Sequence, residues 1–257
     1  YLFSHYVWVT GTSKGAQDYS HVFYERLASR SKQGRLFVAE VASNDGTFLK
    51  AFQERGDKVL GIDPARNIAA MATDAGIPTI PEFFGLELAH EIVAEHGNAD
   101  VVFARNVIPH VADANDVVAG IAHCLTPDGT GAIEFHRADV ILEELHYDSI
   151  YHEHLFYHSL HSVGMLLDKC GLKLFDVTDS PISGGSLVAY FAKTLRTPTD
   201  ALKKMLEREA VLGIGHSSPW REFAIRCERH RRALRALVEH TKAEGKRLIG
   251  YGASARS

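Results

Sequence analysis

The apolar run Leu36-Phe37-Val38-Ala39-Glu40-Val41 stops abruptly at Ala42-Ser43-Asn44-Asp45-Gly46, and helical spacing begins at Thr47. A buried strand that turns through small polar residues into a helix opens a βα unit, and repeated βα units lay their strands in a mainly parallel sheet. The alternation continues down the chain. Strands are predicted at 36–41, 58–62, 77–80, 100–104, 132–135, 172–177 and 185–192. Helices are predicted at 18–31, 47–55, 65–75, 113–125, 159–170, 199–212 and 220–243, with Asp113 a fitting N-cap and Glu244-Gly245 an end signal. The fifth strand is expected to follow a turn at Pro127-Asp128-Gly129. Only a short loop separates the last two strands, and a parallel crossover takes roughly a dozen residues, so they form an antiparallel hairpin. The expectation is an α/β fold: a seven-stranded, mostly parallel sheet with a terminal antiparallel hairpin.

At 257 residues the chain is long for one domain. Residues 1–17 read as a lead-in, 18–195 as the α/β core, and 196–257 as a helical segment followed by the start of a second α/β unit. A strand at 247–250 would enter Gly250-Tyr251-Gly252. The absent initiator Met and the late glycine turn read as a piece of a longer protein. Net charge −4 with 23% charged residues gives no broad basic face for nucleic acid. No apolar run reaches the roughly 18 residues of a membrane span. Cys124, Cys170 and Cys227 lie far apart on helical segments, which suits free thiols in a reducing cytoplasm rather than disulfides or zinc.

The turn after the first strand is the first candidate site. Dinucleotide enzymes place G-x-G-x-x-G there so that backbone reaches a pyrophosphate; here Ser43, Asn44 and Asp45 fill that space and Gly46 stands alone. A polar, acidic turn suits a cofactor with an amino group and a sulfonium charge better than one with two phosphates. Asp63 ends the second strand, 23 residues beyond Glu40, where a carboxylate meets ribose hydroxyls in such folds. The alternative makes Asp63 a helix cap before Pro64, and Asn44 and Asp45 turn formers. Phe83 and Phe84 are candidates for an adenine slot and equally for core.

The second candidate is a concentration of histidine. His136, His146, His152, His154, His158 and His161, six of the chain's fifteen, fall in one short stretch. Histidine titrates near neutrality and suits proton transfer. Tyr151-His152-Glu153-His154 follows the fifth strand, where loops overhang the carboxyl edge of the sheet, and His110, in Asn106-Val107-Ile108-Pro109-His110, could face the same space. Metal is the rival reading, but H-E-x-x-H is absent and no metal site is assigned.

These stretches, with Tyr1-Leu2-Phe3 and Tyr6, Gly61-Ile62-Asp63-Pro64, Asp148 to His154, Gly184-Gly185-Ser186-Leu187 and Gly250-Tyr251-Gly252-Ala253, resemble the sugar C-methyltransferases that act on nucleotide-linked 4-keto deoxysugars in antibiotic pathways. The resemblance implies a class I, Rossmann-like S-adenosylmethionine-dependent methyltransferase core, working in the cytoplasm. It implies cofactor contacts at Glu40, Ala42, Ser43, Asn44, Asp45, Gly46, Asp63, Pro64 and Asn106, with Phe83 and Phe84 as candidates. His154 would be the general base, with Tyr151, Glu153 and His110 beside it, and Tyr6, His136 and Tyr251 would touch a sugar linked to a nucleotide, thymidine by analogy. A cysteine-rich zinc module belongs to the family pattern, but its ligands have no counterparts in this sequence. A monomer is favoured. An O- or N-methyltransferase, or a binding module without turnover, are the other readings, and an NAD-linked oxidoreductase is a further one.

Overall fold

The computed structural model describes residues 4–250. In chain order the elements are α1 (Lys14–Ala28), β1 (Phe37–Val41), α2 (Thr47–Gln53), β2 (Lys58–Ile62), α3 (Arg66–Asp74), β3 (Thr79–Ile80), α4 (Leu86–His96) and β4 (Ala99–Arg105). They continue with α5 (Ala114–Cys124), β5 (Leu125–His136), α6 (Ala138–Glu144), α7 (Leu160–Lys169), β6 (Lys173–Ser180), β7 (Ser186–Ala192), α8 (Asp200–Leu212) and α9 (Ser217–Ala243).

One sheet runs β3-β2-β1-β4-β5-β7-β6; β1 to β5 are parallel and β7 is antiparallel to both neighbours. The central strands are buried on both faces, so they read as continuous apolar runs, and side-chain alternation divides them between two cores. Phe37, Ala39, Val41, Val102 and Ala104 face α4, α5 and α7. Val38, Val101 and Phe103 face α1 and α2, where Phe23 lies edge-on to Phe48 and Phe103 at centroid distances of 5.5 and 5.0 Å. Strand order reverses between β1 and β4, and in open α/β sheets the crevice at the carboxyl ends of such strands takes ligands.

Local signals account for the helix starts. Asp113 accepts from the amides of Asn115 and Asp116, as expected, and Ser159 forms a reciprocal capping box with Ser162. Ser13 caps α1 through the Ala16 amide, so that helix begins four residues earlier than its apolar spacing suggests. The helices α4 and α6 were not anticipated. Pro127-Asp128-Gly129 does not end a helix-to-strand turn: β5 already pairs at Leu125 with Ala99, and pairing resumes at Thr130 with Val101, leaving the four residues Thr126 to Gly129 as a bulge opposite Asp100. The strand expected at 247–250 is not formed. Those residues are exposed and make no ladder with the described residues, and an extended segment without a pairing partner has nothing to hold it as a strand. The three cysteines are free thiols. No helix among the described residues is long and apolar enough to cross a membrane.

Candidate active site

The turn after β1 is wound tightly. Ala42, Asn44 and Gly46 have φ of 56°, 51° and 76°. Two of these are not glycine, and left-handed backbone at such residues costs on the order of 1 kcal/mol each and gathers at functional sites. Gly46 cannot be replaced cheaply, since a Cβ there would also stand 2.9 Å from Ile77. Asp63 braces the turn from β2: Oδ2 accepts from the Asn44 amide at 2.8 Å and Oδ1 from the Ala65 amide at 2.9 Å. Burial raises the Asp63 pKa and the two amides oppose that rise.

Beneath the turn lie charges that sequence inspection did not group. Glu40 is 2% exposed, and its Oε2 has no hydrogen-bond partner among the described residues. Burial lifts its carboxyl well above the ordinary range, with Arg105 pulling down and Asp45, Asp63 and Glu134 adding to the rise. Arg105, at the end of β4, donates to both oxygens of fully buried Glu134, Nε at 3.1 Å and Nη2 at 3.2 Å, and its guanidinium lies over the Phe48 ring. Glu134 also accepts from the Asn106 side-chain amide at 2.6 Å and, through its carbonyl, from the Asn106 backbone at 2.8 Å, holding Asn106 at φ 50°. Arg105 thus pairs with Glu134 and reaches Glu40 only through space, which leaves Glu40 Oε2 without a cation of its own.

The histidine loop lines the same cavity as Glu40 and Asp63, through Tyr151 and His154. His154 Nδ1 lies 3.1 Å from the Ser149 carbonyl, which can only accept, so that nitrogen carries the proton and Nε2 is the basic atom, 3.3 Å from the Tyr151 hydroxyl. His110 repeats the arrangement: Nδ1 donates to the Glu153 carbonyl at 2.9 Å, and burial holds its pKa down. The His110 and His154 rings meet edge-on at 4.8 Å. Burial, with Glu153, Tyr151 and Asp63 nearby, raises the pKa of Tyr6, which keeps that phenol protonated.

That cavity has a volume of about 780 Å³. The chain matches the methyltransferase domain family over residues 22–177. The chain belongs to that family. Residues 181–257 match the C-methyltransferase C-terminal domain. C-methyltransferase NovU of Streptomyces niveus is 36% identical over 256 residues, which is 98% of this chain and 61% of NovU. The magnesium protoporphyrin IX methyltransferase of Synechocystis PCC 6803, solved with bound S-adenosylmethionine, superposes with a TM-score of 0.53 at 14% identity, over 70% of this chain and 80% of its own. The PH0226 protein of Pyrococcus horikoshii OT3 gives 0.56 at 16% identity, over 72% and 94%. The fold is therefore the class I S-adenosylmethionine-dependent methyltransferase fold.

The donor set of this methyltransferase-family domain fits that cofactor. Unpartnered Glu40 Oε2 offers an acceptor without a cation of its own, and Asp63 and the apolar residues Ile62, Phe84, Val107 and Val117 complete a slot at the sheet edge. Of the residues singled out by sequence, Tyr6, Glu40, Ala42, Ser43, Asn44, Asp63, Pro64, Phe83, Phe84, Asn106, His110, His136, Tyr151 and His154 line the cavity. Phe83 is 60% exposed at its rim, while Phe84 packs against the core. Asp45 and Gly46 stand behind the lining. Asp45 Oδ2 accepts from the Gly11 amide and Asn44 Oδ1 from the Thr10 amide, at 2.9 and 2.8 Å, so both side chains pin the N-terminal segment across the cavity. The Glu153 side chain is not in the lining; its carboxylate sits 3.9 Å from exposed His152. Tyr251 lies outside the described residues. Sequence reading missed Arg105, Glu134, Trp8 at the cavity mouth, and Asn67, which holds Tyr6 by both backbone groups at 3.1 and 2.7 Å. No group of three or more metal-ligating side chains occurs among the described residues.

Proposed function

We propose that this chain is the cofactor-binding and catalytic core of a C-methyltransferase that acts on the carbon next to the ketone of a nucleotide-linked 4-keto deoxysugar. The observation that carries this reading is His154, its Nδ1 fixed on a carbonyl and its basic Nε2 beside a tyrosine hydroxyl, lining the same cavity as Glu40 and Asp63. Similarity to a protein named C-methyltransferase and to the C-methyltransferase C-terminal domain supports methylation at carbon.

Glu40 and Asp63 would hold the cofactor, with the Asn44 turn and Phe84 flanking it. When bound, it supplies an electrophilic methyl group. His154 Nε2 takes the proton from the carbon next to the ketone, and the Ser149 carbonyl steadies the imidazolium that results. The Tyr151 hydroxyl, which faces Nε2 at rest, is placed to donate to the keto oxygen as charge builds there. His110, held neutral by burial, and the Tyr6 phenol line the space the sugar would occupy. Fixing base, donor and acceptor carbon in one cavity supplies much of the acceleration.

Deuterium washout from that carbon tests the reading, with a thymidine diphosphate 4-keto deoxysugar and S-adenosylhomocysteine in place of the methyl donor. His154→Ala should slow washout about 10²- to 10⁴-fold, the usual worth of a general base, and leave cofactor affinity nearly unchanged. Undiminished exchange in the variant would remove His154 from the role. Methyl transfer to oxygen or nitrogen with no washout in the native protein would replace the reading with an O- or N-methyltransferase.

A further inference from the structure

The loop that carries Tyr151 and His154 has little structure of its own. Between α6 and α7 the chain makes a 3-10 turn at Tyr147–Ser149, a single turn closed by the His154 amide on the Tyr151 carbonyl and an isolated bridge of His158 to Arg137, and Ile150, Leu155 and Phe156 are exposed. Its position must therefore be imposed from outside. One set of anchors lies on the cavity side: the Leu155 amide donates to the Pro109 carbonyl at 2.8 Å, and His110 donates to the Glu153 carbonyl. These fix residues 153–155.

The other anchor is α9. Trp220 and Phe223 join Ala138, Ile141 and Leu142 of α6 in a third core cluster that reaches Tyr157 on the cavity wall. Arg226 donates to the carbonyls of Leu142 and Glu143 at 3.0 and 2.7 Å, satisfying acceptors that the end of α6 leaves open, where a cation also suits the helix dipole. Leu145 then turns the chain at φ 62°, a left-handed conformation that a leucine holds only when its surroundings impose it. Two residues on, the Tyr147 hydroxyl hydrogen-bonds His230 Nδ1 at 2.9 Å. The turn that Tyr147 opens ends at Ser149, whose carbonyl receives His154 Nδ1. An unbroken line thus runs from His230 through Tyr147 and Ser149 to His154.

We infer that α9 is a splint for the catalytic loop, with His230 and Arg226 as positioning residues that set where Tyr151 and His154 stand in the cavity. The inference rests on the proposed role of His154, but it is a statement about geometry and has a readout of its own. Neither residue lines the cavity, and His230 is exposed, so its substitution leaves the folded core intact.

The test compares His230→Phe, Tyr147→Phe and His230→Asn, the last presenting an acceptor near the Nδ1 position. Hydrogen exchange in peptides covering 145–157 should rise several-fold in the two Phe variants and return toward native in His230→Asn, while S-adenosylmethionine affinity by calorimetry stays within twofold. With a thymidine diphosphate 4-keto deoxysugar, kcat should fall 10-fold or more, as expected when a reacting group is displaced by about 1 Å, with KM little changed. Unaltered exchange across 145–157 in both Phe variants overturns the splint. Loss of cofactor affinity in step with faster exchange also overturns it, because the effect would then be general loosening. Faster exchange with unchanged kcat supports the splint and instead removes His154 from catalysis, so the two failures are distinct.

Discussion

Glu40→Gln is expected to weaken S-adenosylmethionine binding about 10- to 100-fold while raising the melting temperature of the cofactor-free protein at pH 7. Both effects come from one buried carboxyl. In the folded chain Glu40 sits at 2% exposure with an unpartnered oxygen, and burial raises its pKa. A carboxyl whose folded pKa lies above its unfolded value costs stability as pH rises from the unfolded pKa to the folded one, and that cost is complete at higher pH. Glutamine carries no such cost, so the variant's advantage should be present at neutral pH and disappear below about pH 4.5, the reference value for the unfolded group. Binding runs the other way. A hydrogen bond to a charged group contributes about 1.5–3 kcal/mol, roughly one to two factors of ten in affinity, and an amide in that place forfeits most of it. Thermal melts with and without ligand and calorimetric titration read both effects together. S-adenosylhomocysteine, which keeps the ammonium but lacks the sulfonium charge, separates the two cations that Glu40 could meet: parallel loss for both ligands assigns it to the ammonium. Unchanged affinity, or a variant that melts lower at every pH, would dismiss this account of the floor.

Much of the sheet was legible because its signals are local. The run Phe37 to Val41 is buried on both faces and reads as continuous apolar sequence, and Asp113 and Ser159 announce their helices one residue ahead. What was not legible depends on pairing across the fold. The helix α6 starts at Ala138 without a side-chain cap and follows β5 almost at once, so no polar break marks it. The Pro127-Asp128-Gly129 part of the bulge at Thr126 to Gly129 looks like a turn unless one knows that β4 lies beside it.

The site divides the same way. Asn44, Asp45 and Asp63 were legible as a polar cluster at strand ends, yet only the structure shows that much of their hydrogen bonding is spent on one another and on the Thr10 and Gly11 backbone. Glu134 carried a signal that could have been used. A lone glutamate amid Ala132, Ile133 and Phe135 on a central strand must find a cation, and Arg105 is the only charged residue near the end of the adjoining strand.

That pair should be the most sensitive point of the core. Glu134→Ala is expected to destabilise the protein by about 3–5 kcal/mol, since removing one partner of a buried pair leaves the other charge uncompensated. The geometry favours the upper part of the range: Glu134 is fully buried, the Arg105 side chain is 10% exposed, and the Asn106 side-chain amide loses its acceptor. At this chain length the loss corresponds to a melting temperature lower by about 10 °C. Glu134→Gln keeps an acceptor for Asn106 and should lose less. The double replacement Arg105→Met with Glu134→Leu removes both charges and fills the space with apolar atoms, a change that is often neutral for a buried pair, so most of the stability should return. Function should not return with it. Arg105 is the cation that pulls the Glu40 pKa down. The double variant also removes Glu134, which pushes that pKa up, but Arg105 acts on Glu40 more strongly than Glu134 does, so Glu40 holds its proton to higher pH and the pH at which cofactor binding reaches half its maximum should move upward. Calorimetric titration across pH measures that midpoint, and urea unfolding measures the stabilities. A loss below about 1 kcal/mol in Glu134→Ala would mean that water reaches the guanidinium and that the pair is not the closed unit its geometry describes. Recovery of stability with an unmoved binding midpoint would separate Arg105 from Glu40 and leave the acidic floor to be explained by Asp63 alone.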